Sequence, residues 1–318
     1  MKERLGGVKW LKYVILFLLP VVIVLWLRTQ VDNDSWFVLA EGREIVENGV
    51  YLTDALSMHE GLEIVVQNYG FAVVYWLIYT VFGLSGLFIG MILMYLLVEF
   101  LLYKIFMLLS EKNEGLALIL TVMTSALLGL FFVTTRAQMV SYAIFLTVIY
   151  ILERYVKKGE KDWLVAIPLL SLVQINLHAS VWLMLFMVMG AFILDSRIEG
   201  YKAKPLVITM LVSLVMGLIN PYGVNMITFV VKSYSGGAIQ RLVTEMTPFN
   251  LGSWSNWVLY GVIAMVIVIG FYGKAKDIKV RYLMMFIGLL GLGLNTFKGM
   301  SQVILVMFLP VVGMYAKA

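Results

Sequence analysis

Long apolar runs separated by brief polar breaks recur along the whole chain. A bilayer core about 30 Å thick needs roughly 20 apolar residues per helix. On that rule, spans are predicted near 13–29, 84–109, 115–134, 138–155, 162–176, 179–194, 205–220, 254–272, 281–296 and 300–316. The run 69–82 is apolar and aromatic but short, and reads as a helix lying in, or dipping into, the membrane interface. The longest polar stretch opens at Val31-Asp32-Asn33-Asp34-Ser35-Trp36 and continues to Asn68, carrying eight of the nineteen acids. Within it the spacing of Trp36, Phe37, Leu39, Ile45 and Val46 predicts an amphipathic helix ending at Asn48-Gly49. Asp32 or Asp34 would cap its N-terminus, where free N–H groups and the helix dipole favour an anion. Further on, Asn220-Pro221-Tyr222-Gly223 predicts a helix stop and a turn, opening a second loop over 220–253.

Composition settles the class. With 62% hydrophobic and 14% charged residues and a mean hydropathy of +0.94, the chain of 318 residues is too apolar for a soluble protein. One transmembrane domain over 1–318 is expected: an all-α polytopic membrane protein of about ten spans. The net charge of +5 does not call for nucleic acid. With the N-terminus inside, 18 basic residues fall in cytoplasmic segments and 6 outside, as the positive-inside rule demands. Counting 69–82 as a span would invert every later loop and destroy that agreement. Both termini are therefore expected in the cytoplasm, with the loop 30–82 outside a plasma membrane. Lys2, Arg4, Lys9 and Lys12 precede the first apolar run as in a signal peptide. Arg28, Gln30 and Asp32 follow it where a cleavage site would need small residues, so a retained helix is expected. The absence of cysteine excludes disulfides and thiolate chemistry.

The residues that an apolar bundle does not need gather on the outer side. Asp32 and Asp34, two apart, suit either a helix cap or a general base, and a divalent cation, if one is bound, would sit on this pair. Arg136, in the short turn Thr134-Thr135-Arg136-Ala137-Gln138, either snorkels to headgroups or grips a phosphate through its planar fork. Asn176 and His178 interrupt a long apolar stretch, where polar groups face a cavity or each other. Lys298 occupies the last outer turn. Glu99, inside a predicted span, is expected to make an interhelical hydrogen bond.

Asp32-Asn33-Asp34-Ser35-Trp36-Phe37, Gly42-Arg43-Glu44-Ile45, Asn48-Gly49 and Thr53-Asp54 follow one another in the first outer loop. Later come Arg136-Ala137-Gln138-Met139-Val140-Ser141-Tyr142, Asn176-Leu177-His178, Asn220-Pro221-Tyr222-Gly223 and a closing helix from Lys298 to Pro310. In this order they resemble bacterial GT-C-type membrane glycosyltransferase-like proteins. Where those proteins often carry His-Glu-Trp, this chain has Asn68-Tyr69-Gly70. The resemblance implies a GT-C-like bundle and transfer of a sugar from a polyprenyl-phosphate donor to a glycan or protein acceptor at the outer face, with inversion. It implies Asp34 as general base, assisted by Asp32. Arg136, Gln138, His178, Asn176, Lys298 and Asn68 would contact the substrate. Two other readings fit the same residues: a flippase or transporter of lipid-linked glycans, and a non-catalytic lipid-binding subunit that works with a partner in a cell-surface polysaccharide complex.

Overall fold

The computed structural model describes residues 6–27, 31–233, 254–272, 278–310 and 312. Among these the chain is helical, and residues 53 and 63 form one isolated antiparallel bridge. Helix α1 (Gly6–Leu27) leads to α2 (Asn33–Asn48) and, after a loop, to α3 (Tyr69–Leu109). Next come α4 (Glu114–Phe131), α5 (Gln138–Lys158), α6 (Ala166–Leu177), α7 (Trp182–Glu199), α8 (Ala203–Met216) and α9 (Val224–Ser233). The described helices close with α10 (Trp254–Tyr272), α11 (Val280–Asn295) and α12 (Met300–Val306). Four stretches, Tyr69–Leu109, Glu114–Phe131, Gln138–Lys158 and Ala179–Glu199, are long and apolar enough to cross a membrane. Most of the second loop expected over 220–253 lies outside the described residues, as do both chain ends.

Helix α2 forms where its pattern predicts. Asp32 caps it by accepting from the Asp34 N–H at 3.0 Å, and Gly49, at φ +89°, closes it through an N–H to the Ile45 carbonyl. Its inner face (Ser35, Val38, Leu39, Gly42, Ile45) packs on the first part of α3. Gly42 makes this approach possible, because a β-carbon there would stand 2.1 Å from the Ala72 carbonyl oxygen.

Helix α3 is two rods rather than one. Gly83, at φ +60° and ψ −158°, lies in a region of backbone space that is essentially glycine's alone. The bend is sharp. A β-carbon on Gly86 would lie 3.4 Å from the carbonyl oxygen of Ile78, whereas eight residues of straight helix span about 12 Å. The apolar run 69–82 is thus a separate arm, with its boundary where the sequence suggests. Behind it, α3, α4, α5, α7, α11 and α12 share one core around Tyr95, Leu128, Ile149, Phe192 and Val303.

The core also holds charge. At the far end of α5 and α7 from the acidic loop, Arg281 makes two bonds to Glu153 (2.8 and 3.1 Å) and two to Asp195, one from its side chain (2.8 Å) and one from its backbone N–H (3.2 Å). All three side chains are 3% exposed or less. Arg281, counted by sequence among the basic residues expected in cytoplasmic segments, is a buried tie between α5, α7 and α11. Glu99 faces Ser125 across the α3–α4 interface without closing a full hydrogen bond to it. The α3–α4 link is made one turn earlier, where the Tyr95 hydroxyl donates to the Ser125 carbonyl at 2.5 Å. Among the described residues, neither oxygen of the buried Glu99 carboxyl has a hydrogen-bond partner.

Candidate functional site

The α4–α5 turn, residues 132–137, is tied to the start of α2 by neutral and charged bonds. Ser35, fully buried, shares a hydrogen bond of 2.8 Å with the Thr135 hydroxyl. One residue on, Arg136 reaches both aspartates: Nη2 lies 2.5 Å from Asp32 Oδ1 and Nη1 lies 3.0 Å from Asp34 Oδ2. The two carboxylates differ in setting. Asp32 is 26% exposed and also caps α2, whereas Asp34 is 63% exposed. The guanidinium bridges the two carboxylates. Among the described residues no group of three or more His, Cys, Asp or Glu side chains comes together as a metal site.

Arg136 also lies at the edge of an apolar cavity of about 190 Å³ inside the α3 elbow. One arm of α3 contributes Phe71, Val74, Tyr75 and Ile78, and the other contributes Leu87, Gly90, Met91 and Met94. Each set is spaced i, i+3, i+4, i+7, so each arm turns one helical face to the space. Thr134, Thr135, Met139, Val140 and Leu177 complete the wall.

The remaining residues expected at the site take less direct positions. His178 is buried in the α6–α7 turn with both ring nitrogens engaged, Nδ1 by the Ser141 hydroxyl (2.7 Å) and Nε2 by the Ser180 hydroxyl (2.8 Å). Burial, and then the charge of Lys298, hold its pKa well below the ordinary histidine value, so the ring is neutral. Phe297, beside Lys298, packs against Phe132, with ring centres 5.1 Å apart. Asn176 donates to the Ile219 carbonyl at 2.9 Å and accepts from the Tyr69 hydroxyl. It thereby pins the start of α3 to the α8–α9 connection. Asn68 precedes α3 without a side-chain capping bond, and Gln138 is buried at the first turn of α5. Asp32, Asp34 and Arg136 thus meet directly. His178 and Lys298 form a second group, and Leu177, beside His178, reaches the shared cavity wall.

Glu41 is the residue that reading by charge alone passes over. It is 4% exposed on the inner face of α2, two turns beyond Asp34. Its Oε2 and the Tyr51 hydroxyl have no hydrogen-bond partner among the described residues. Burial, and then the Asp54 charge, push its carboxyl up to about 7. The helical period that gave α2 its apolar face could have found it, since Glu41 lies between Val38 and Ile45 on that face. Comparison of the chain with protein-family models and with curated proteins gave no match.

Proposed function

We propose that this protein transfers a sugar from a polyprenyl-phosphate donor to an acceptor hydroxyl at the outer face of a plasma membrane. In this reading ten spans place both termini in the cytoplasm, and α2 lies on the extracytoplasmic side. One observation carries it: an apolar cavity between the arms of α3 is bounded by Arg136, and Arg136 lies 3.0 Å from the exposed carboxylate of Asp34. An isoprenoid chain suits the cavity, its phosphate suits the guanidinium fork, and the sugar then lies beside a carboxylate. The acceptor oxygen attacks the anomeric carbon as its proton passes to Asp34. The carbon–oxygen bond to phosphate breaks, its electron pair leaves with the phosphate oxygen, and configuration inverts. Arg136 stabilises the charge that develops on the departing phosphate.

A base of this kind contributes about 10²–10⁴ in rate. Transfer from radiolabelled polyprenyl-phosphate hexoses should therefore fall by at least 10²-fold in Asp34→Ala. Unchanged transfer would remove Asp34 as the base. The non-catalytic lipid-binding subunit stands as a second reading, favoured by the engagement of both carboxylates with Arg136. Binding of polyprenyl phosphate with no turnover of any donor would select it.

A further inference from the structure

We infer that Asp34 is the built-in occupant of an anion site on Arg136. In the free protein its carboxylate takes the guanidinium position that a ligand phosphate takes in the bound one, and the exchange sets Asp34 free. This rests on the lipid-phosphate reading of the cavity.

Guanidinium groups bind one carboxylate or phosphate most strongly through two parallel N–H donors. Arg136 instead divides its fork between two carboxylates, one at each terminal nitrogen. The two halves are unequal. Asp32 makes the shorter contact, 2.5 Å, is the less exposed, and accepts the Asp34 N–H as the cap of α2. Its departure would cost the cap as well as the ion pair. Asp34 makes the longer contact, 3.0 Å, from a side chain 63% exposed, and an ion pair so placed is weak. An arriving phosphate therefore displaces Asp34 and leaves Asp32 in place. The displaced carboxylate remains on the first turn of α2, beside the phosphate that dislodged it. Its release as a base is tied to the arrival of donor, so an idle site holds no free carboxylate to activate water.

The test uses full-length protein in detergent, titrated with farnesyl phosphate, inorganic phosphate, a short-chain phosphatidic acid and farnesol. Removing a competing carboxylate must strengthen binding of the true anion. Asp34→Asn, and Asp34→Ala as a second variant, should bind farnesyl phosphate about two- to sixfold more tightly than wild type, the range that a weak exposed pair permits. Farnesol should bind all three alike. Glu47→Gln removes the same charge from α2 without touching Arg136, and should leave affinity unchanged. Unchanged or weaker phosphate binding in both Asp34 variants would overturn the inference, as would an equal gain in Glu47→Gln. Inorganic phosphate that gains as much and binds as well as farnesyl phosphate would assign the site to free phosphate. That result ends the polyprenyl reading while the exchange stands. A preference for phosphatidic acid would assign the site to bilayer lipid and likewise end that reading alone.

Discussion

Gly42→Ala tests whether the close seating of α2 on α3 holds the site together. The added methyl carbon would stand 2.1 Å from the Ala72 carbonyl oxygen and 2.8 Å from the Trp76 β-carbon, where ordinary contact begins at 3.4 Å. The oxygen belongs to a helix backbone and has little freedom to move, so α2 must back away by about 1.3 Å. Overpacking of this kind costs about 1–3 kcal/mol, and a clash with backbone belongs at the upper end. Alanine in a helix interior returns about 1 kcal/mol through its better propensity. The clash wins, and a net loss of about 2 kcal/mol is expected. Ser35 and Arg136 pin the N-terminal end of α2, so the helix pivots about them and Asp34 moves less than Gly42. Thermal unfolding in a fixed detergent should show the loss, with a larger one for Gly42→Val. Gly190→Ala in α7, where an added β-carbon meets nothing within 4 Å, serves as control and should be neutral or stabilising. Gly42→Val melting with wild type would refute the proposed seating of α2.

Two further outcomes are expected. Arg281→Met leaves Glu153 and Asp195 buried without a counter-charge and should cost about 3–5 kcal/mol. Adding Glu153→Gln and Asp195→Asn should restore most of it, and a triple variant as unstable as the single one would count against the buried tie. For Glu41, the folded pKa of about 7 exceeds the unfolded 4.5, so the folded state binds the extra proton between those values. The stability that this carboxyl contributes is present below pH 4.5 and is lost as pH rises to 7. The loss amounts to about 3 kcal/mol for the full shift. Glu41→Gln should flatten that part of the stability curve and gain on wild type at pH 8; parallel curves would show that Glu41 is not held neutral.

Much of the local structure is legible in the sequence because local rules fix it. Asp32 as a cap, the end of α2 at Gly49 and the break near residue 83 follow from capping chemistry and from the length of an apolar run. The pairing of charges across the fold is another matter. Asp32 and Arg136 are 104 residues apart, and Arg281 and Glu153 are 128 apart. Nothing in the spacing of either pair announces the bond. Arg136 reads as a group for a ligand, and only the structure shows that the protein's own carboxylates already hold it. Arg281 reads as one more basic residue of a cytoplasmic segment, because the rule that orients membrane helices counts charge without asking whether it is buried. Glu41 is hidden for the opposite reason: in a run of eight acids it looks solvated, and its helical phase outweighs its company.

On the lipid-phosphate reading, the elbow at Gly83 has a consequence for how the site fills. If the ligand between the two arms of α3 is the lipid phosphate proposed above, it approaches sideways, by diffusing within one leaflet, rather than by falling from bulk water onto a mouth. The concentration that governs occupancy is then a surface density, the mole fraction of ligand among lipids. Saturation at the Arg136 end of the elbow is therefore set by how crowded the surrounding leaflet is with that lipid, and aqueous solubility scarcely enters.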